Sequence, residues 1–214
     1  MLHSRSQAHS TNTACHLRRL VDFAEPRPDD VCLDVSGVSG LASAIRPWVG
    51  ELTSAAEESL PSGSFTLVVA PLGHARGDQV RLVRDLFRVC RGRLVLADLV
   101  RTRAGDGDHI ERLRDPDRTK MRTFRELLDL VERAGGQTRR MDVFTVERPI
   151  DPWLAGARDP DRIRRELTAE IDGGPRTGAR PRLIGSELWF TQSWAYLAVE
   201  PGRRPGRGRA RPRR

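Results

Sequence analysis

Two aspartates stand where a β-rich run gives way to a polar turn. Asp34 lies near the end of Asp30-Val31-Cys32-Leu33-Asp34-Val35 and is followed by Ser36-Gly37-Val38-Ser39-Gly40. Glycines in such a turn let backbone N–H groups approach a ligand that side chains would keep away. An acid at that junction orients the loop backbone around a ligand; capping the loop without any ligand is the alternative. Asp98 lies near the carboxyl end of Arg93 to Val100 (RLVLADLV), the end at which open α/β sheets place their sites. It reads either as a substrate-side polar group or as a turn cap. His74, in Pro71-Leu72-Gly73-His74, is a general-base candidate, against the plainer reading of an exposed loop histidine. His109 is a candidate for a lid over a pocket mouth, whereas His3, His9 and His16 belong in or near an N-terminal arm and read as inert. Cys15, Cys32 and Cys90 are far apart and lack C-x-x-C spacing, so neither a disulfide framework nor a metal site is expected.

The elements that must position these residues follow from periodicity. Residues 1–13 read as a disordered arm, and Cys15 to Ala24 has helical spacing that Pro26 and Pro28 stop. After the strand at 30–35, Leu41 to Val49 reads as a helix. A turn at Pro61 to Ser64 introduces a second strand, Phe65 to Ala70. Gln79 to Cys90 is amphipathic, with Val80, Val83, Leu86, Phe87 and Cys90 on one face, and Gly92 is its expected stop. The third strand is Arg93 to Val100, followed by a polar loop from Arg101 to Asp108. Thr123 to Ala134 is a helix opened by a capping box, Thr123 with Glu126, and closed by Gly135-Gly136. Thr138 to Val146 is a strand candidate, Asp159 to Ile171 a charged helix, and Glu187 to Val199 a strand-rich close whose Trp189, Phe190, Trp194 and Tyr196 suit core packing better than base stacking. Strands alternating with helices predict an α/β domain over 14–200, with a mostly parallel sheet covered on both faces.

Composition sets the outer bounds. With 38% hydrophobic and 31% charged residues among 214, the chain is polar for a folded protein but not polar enough for wholesale disorder. Aromatics at 5% leave the core to Leu, Val, Ile and Ala. No run approaches the ~18 apolar residues of a membrane span, and no secretory signal is legible, so a cytoplasmic location without membrane insertion is expected. The net charge of +8 suggests nucleic acid until it is located. Residues 201–214 hold seven Arg and no acid, so without that tail the charge is 8 − 7 = +1. Only Lys120 of the 37 basic residues is Lys, a bias of composition more than of chemistry. The tail reads as a disordered extension; nucleic-acid binding through it is the lesser alternative.

Four stretches carry a resemblance. Val31-Cys32-Leu33-Asp34-Val35 with its small-residue turn is similar to the first strand and cofactor loop of class I S-adenosylmethionine (SAM)-dependent methyltransferases, in the branch of ubiquinone- and menaquinone-biosynthesis C-methyltransferases. Leu60-Pro61-Ser62-Gly63-Ser64-Phe65-Thr66-Leu67-Val68 resembles that family's approach to its fourth strand. Val89-Cys90-Arg91-Gly92-Arg93-Leu94-Val95-Leu96-Ala97-Asp98 resembles its next helix-to-strand passage. Glu111-Arg112-Leu113-Arg114-Asp115-Pro116, with the helix at 123–134 and Gly135-Gly136, resembles a later segment. The resemblance implies a Rossmann-like three-layer fold and a SAM site formed by Asp34, Ser36, Gly37 and Gly40, with Asp34 also favouring the SAM ammonium.

The departures are equally specific. Of three alternate glycines the family offers, at positions matching Ser36, Val38 and Gly40, only Gly40 is retained. The stretch from Gly50 to Pro61 is short by about one strand–helix unit of the family, on the order of 30 residues. Glu51 comes too early to match the acid that binds the ribose hydroxyls, and Ala56 stands where an aspartate faces the adenine. Two functional expectations follow: a SAM-dependent methyltransferase acting on a small-molecule acceptor, or a methyltransferase-like binding or partner subunit that has lost SAM. A sheet edge exposed by the missing unit would invite pairing into a homo- or hetero-oligomer.

Overall fold

The computed structural model describes residues 17–35, 40–55, 59–73, 77–102 and 108–202. After helix α1 (17–24) come β1 (Val31–Asp34), α2 (Leu41–Ile45), a 3-10 turn (Arg46–Trp48), β2 (Glu51–Ser54), β3 (Phe65–Pro71), α3 (Gln79–Val89) and β4 (Cys90–Arg101). Then follow α4 (Asp108–Arg114), β5 (Arg122–Thr123), α5 (Phe124–Arg133), β6 (Gly136–Pro149), α6 (Ile150–Leu154), α7 (Pro160–Ile171), β7 (Arg182–Ile184) and β8 (Glu187–Pro201).

The strands form one sheet in the order β2-β1-β3-β4-β8-β6, with β5 beside β4 and β7 beside β8. The first four are parallel, and β8 and β6 add an antiparallel pair. The α/β class, the mostly parallel sheet and the cover on both faces are as the periodicity predicts. Alternation along each strand sends side chains to opposite layers. Leu33, Val68, Ala70, Leu94 and Leu96 meet α3 and α5 through Val83, Leu86, Leu127 and Val131. Cys32, Leu67, Val69, Val95 and Ala97 meet α1 and α2 through Leu20, Val21, Leu41 and Ile45. Each fully buried Leu or Val contributes about 1.5–3 kcal/mol of apolar burial, so two such layers hold the sheet without many aromatics.

Several expectations are corrected. Residues 51–54, unassigned from sequence, form the edge strand β2. Gly92 does not stop α3: the helix ends at Val89 and Gly92 lies inside β4, where a Cβ would strike the Thr66 carbonyl of β3. Pro47 tightens the end of the second helix into a 3-10 turn, and residues 150–154 form α6. β6 and β8 are longer than expected and pair from Gly136–Pro201 to Pro149–Trp189. Phe190 and Tyr196 are buried core residues. Between β6 and β8 the chain inserts α6, α7 and β7, and α6 and α7 share with α4 and β8 a separate small core of Ile110, Trp153, Ile163, Leu167 and Phe190. Among the described residues no helix is long and apolar enough to cross a membrane.

Candidate functional site

β1 lies between β2 and β3, so the chain leaves it toward one side of the sheet and later returns on the other. Such a reversal opens a crevice beyond the carboxyl ends of the strands, the usual ligand position in open α/β sheets. Asp34 sits at that end of β1, with 4% of its surface exposed. Beyond the turn, Gly40 opens α2 at φ +96°, a left-handed backbone that glycine adopts without strain. A Cβ on Gly40 would also press to 3.2 Å from Leu17 Cδ1. Asp34 and Gly40 thus stand on either side of residues 36–39, and Ser36, Gly37, Val38 and Ala56 lie outside the described residues.

Register fixes what stands beside Asp34. It aligns with Ser54 of β2 on one side and Val69 of β3 on the other, whereas Glu51 aligns with Val31 at the opposite end of the strand. Three residues of rise put Glu51 about 10 Å from the carboxyl edge. Glu51 is therefore not a ribose acid, and a serine occupies the corresponding end of β2. The described residues that could hold a SAM molecule are Asp34 and the Gly40 bend, with Ser54 at the neighbouring end of β2.

Asp98 is placed farther along the sheet, and its surroundings differ from both sequence readings. It is 3% exposed and bridges Arg118 and Arg122, each at 3.3 Å. Burial pushes its carboxyl above the usual range, against the opposing pull of the two guanidiniums. Arg122 also bonds Gln79, whose amide donates to the Leu72 carbonyl at 3.3 Å. Arg118 lies over Gly73, where a Cβ would come within 2.5 Å of its Nη2. Asp98 is thus the centre of an ion cluster that ties β4 to the segment before α5. His74 lies outside the described residues. His109, on α4, bonds Glu166 of α7 at 2.6 Å and joins the two cap helices.

Next to this cluster is a cleft between the sheet and the cap, which the sequence did not suggest. It is lined by Val100, Arg101 and Thr102 from β4, Ile110 and Glu111 from α4, Met121, the loop 178–180, and residues 190–193 of β8. Behind the wall, Gln192 donates to Glu111 and accepts from Arg148 Nη1 at 3.1 Å. Burial pulls the Arg148 guanidinium below its ordinary value, partly offset by Glu111. One signal for part of this region was present in sequence: Gln79 sits on the apolar stripe of α3 with Val83 and Leu86. The arginines gave none, because nearly every basic residue in the chain is Arg.

No protein-family model and no curated protein matches the chain. Solved structures do. A candidate methyltransferase from Bacillus halodurans superposes with a TM-score of 0.69 at 17% identity, over 87% of this chain and 98% of that one. The YcgJ protein of Bacillus subtilis gives 0.67 at 18%, over 87% and 99%. A geranyl diphosphate C-methyltransferase from Streptomyces coelicolor, solved with S-adenosylhomocysteine, gives 0.55 at 14%, over 87% and 78%. The chain has the fold of the class I SAM-dependent methyltransferases.

Proposed function

We propose that this protein is a SAM-dependent methyltransferase acting on a small-molecule acceptor. The observation that carries the reading is Asp34, buried at the carboxyl end of β1 beside the left-handed Gly40, at the point where the strand order reverses. When bound there, SAM supplies an already electrophilic methyl sulfonium, so the protein's own task is placement of an acceptor. Asp34 orients the cofactor turn; the ends of β3 and β4 and the cap define where an acceptor lies. The cap packs beside that region and leaves a cleft at the end of β4, which supports a small acceptor. Cys32 and Cys90 are free thiols, consistent with a reducing compartment such as the cytoplasm.

Titration calorimetry with SAM and S-adenosylhomocysteine tests the reading. Micromolar binding is expected, weakened about tenfold or more by Asp34→Ala, which corresponds to ~1.4 kcal/mol. No heat and no thermal stabilisation at millimolar ligand would overturn it. The second reading, a methyltransferase-like partner subunit without SAM, would then stand. It is favoured by the serine at the end of β2, where the family resemblance calls for an acid.

A further inference from the structure

The cap cleft is rich in donors and poor in acceptors. Arg101 and Arg180 line it as cations against the single lining acid Glu111, one oxygen of which is taken up by Gln192, while Glu126 outside the cleft holds Nη2 of Arg101 at 3.1 Å. Arg101 Nε and Arg148 Nε are both buried, and neither has an acceptor among the described residues. Arg118 Nε, in the adjoining Asp98 cluster, is in the same condition. A buried donor left unsatisfied costs about 1–3 kcal/mol, so these three favour an acceptor supplied by water or a ligand; Arg93 Nε and Trp189 Nε1 are the other such atoms among the described residues. Arg180 adds a second kind of evidence. It is one of two non-glycine residues with positive φ among the described residues, at +48°, and it stands on the wall of this cleft. Strain of that kind costs on the order of 1–3 kcal/mol and collects at ligand sites. The cleft encloses about 420 Å³ of space that is continuous with solvent, room for a carboxylate against the wall with the body of a small molecule toward the opening.

We infer that the cleft between β4, β8 and the cap binds the carboxylate group of a small organic acid, held by Arg101 and Arg180 with Arg148 behind them. Planar guanidiniums match a carboxylate in geometry and in charge. That this acid is the methyl acceptor rests on the proposed function; the binding of the anion does not.

The test is calorimetric titration of the full chain, without SAM, using acetate, benzoate, inorganic phosphate and neutral benzamide at constant ionic strength. Benzoate is expected to bind in the millimolar range and benzamide not at all. The test variant is Arg180→Asn, because Asn adopts the left-handed backbone more readily and removes the charge without removing the fold. It should retain or raise Tm and lose at least tenfold in benzoate affinity, whereas Arg158→Gln, outside the cleft, should change nothing. Equal binding by Arg180→Asn and wild type, binding of phosphate but of neither carboxylate, or no binding at all would each overturn the inference. Benzoate binding by a protein that ignores SAM would keep the anion site and remove the methyltransferase reading. SAM binding without benzoate binding would do the reverse.

Discussion

Asp98 carries one negative charge against two guanidiniums in a space nearly closed to water, with Arg118 only 6% exposed at its side chain. Removing one member of a buried pair is costlier than never having had the pair, because the partner keeps its charge and loses its counter-charge. Asp98→Ala is therefore expected to destabilise the protein by about 3–5 kcal/mol in urea unfolding at neutral pH. Asp98→Leu combined with Arg118→Met should recover part of that loss, since apolar residues of similar volume then fill the space between them and only the partly exposed Arg122 is left without its counter-charge. If the two changes simply add, the cluster is not the coupled unit that the 3.3 Å contacts indicate. Asp98 itself was legible as an acid near a strand end. Its partners were not, because Arg118 and Arg122 are ordinary letters in an arginine-rich chain and meet Asp98 only through the path of residues 115–123.

Helix α5 shows what local chemistry makes readable. Thr123 Oγ1 accepts from the Glu126 N–H at 3.2 Å, and the Glu126 carboxylate accepts from the Thr123 N–H at 2.6 Å, the reciprocal pair read from the sequence. Thr123→Ala is expected to cost about 1 kcal/mol. The bonds from Thr123, helped by Arg101, bring the Glu126 carboxyl down to about 2 from its ordinary 4.5. A lowered folded-state value gives stability that is present above about pH 4.5 and lost as pH falls toward 2. Glu126→Gln keeps the reach but not the charge, so its deficit against wild type should close as pH falls through that window. At neutral pH the deficit should be only about 0.5 kcal/mol, because the side chain is half exposed and solvent screens it. Thermal unfolding from pH 2 to 7 checks both; a gap that stays constant would sink the assignment. By contrast, β2 escaped notice because its four residues are mostly exposed and carry no apolar alternation. α6, α4 and the packing of the cap were invisible for another reason: their small core forms only when α4, α7 and β8 meet, and no local pattern announces that meeting.

At the scale of the whole molecule, the sheet and the charge end at different places. β8 pairs with β6 as far as Pro201, and the Gly202 N–H bonds the Gly135 carbonyl at 2.7 Å, closing the loop after α5. All seven arginines of the basic tail lie beyond that bond, so a chain ending at Gly202 has a net charge of 8 − 7 = +1. The described fold and both candidate ligand regions lie within residues 17–202, which predicts a clean separation of properties. The chain ending at Gly202 should keep its Tm and its response to SAM and benzoate, and lose whatever salt-dependent affinity for nucleic acid the full chain has. A chain ending at Val199 should be less stable, because it loses the last ladder pairs, the Arg139–Glu200 ion pair and the Gly202 bond. Retained nucleic-acid affinity in the shorter chain would place that binding on the folded surface. A fall in Tm on ending at Gly202 would mean that the tail contributes to the fold through contacts beyond the paired strands.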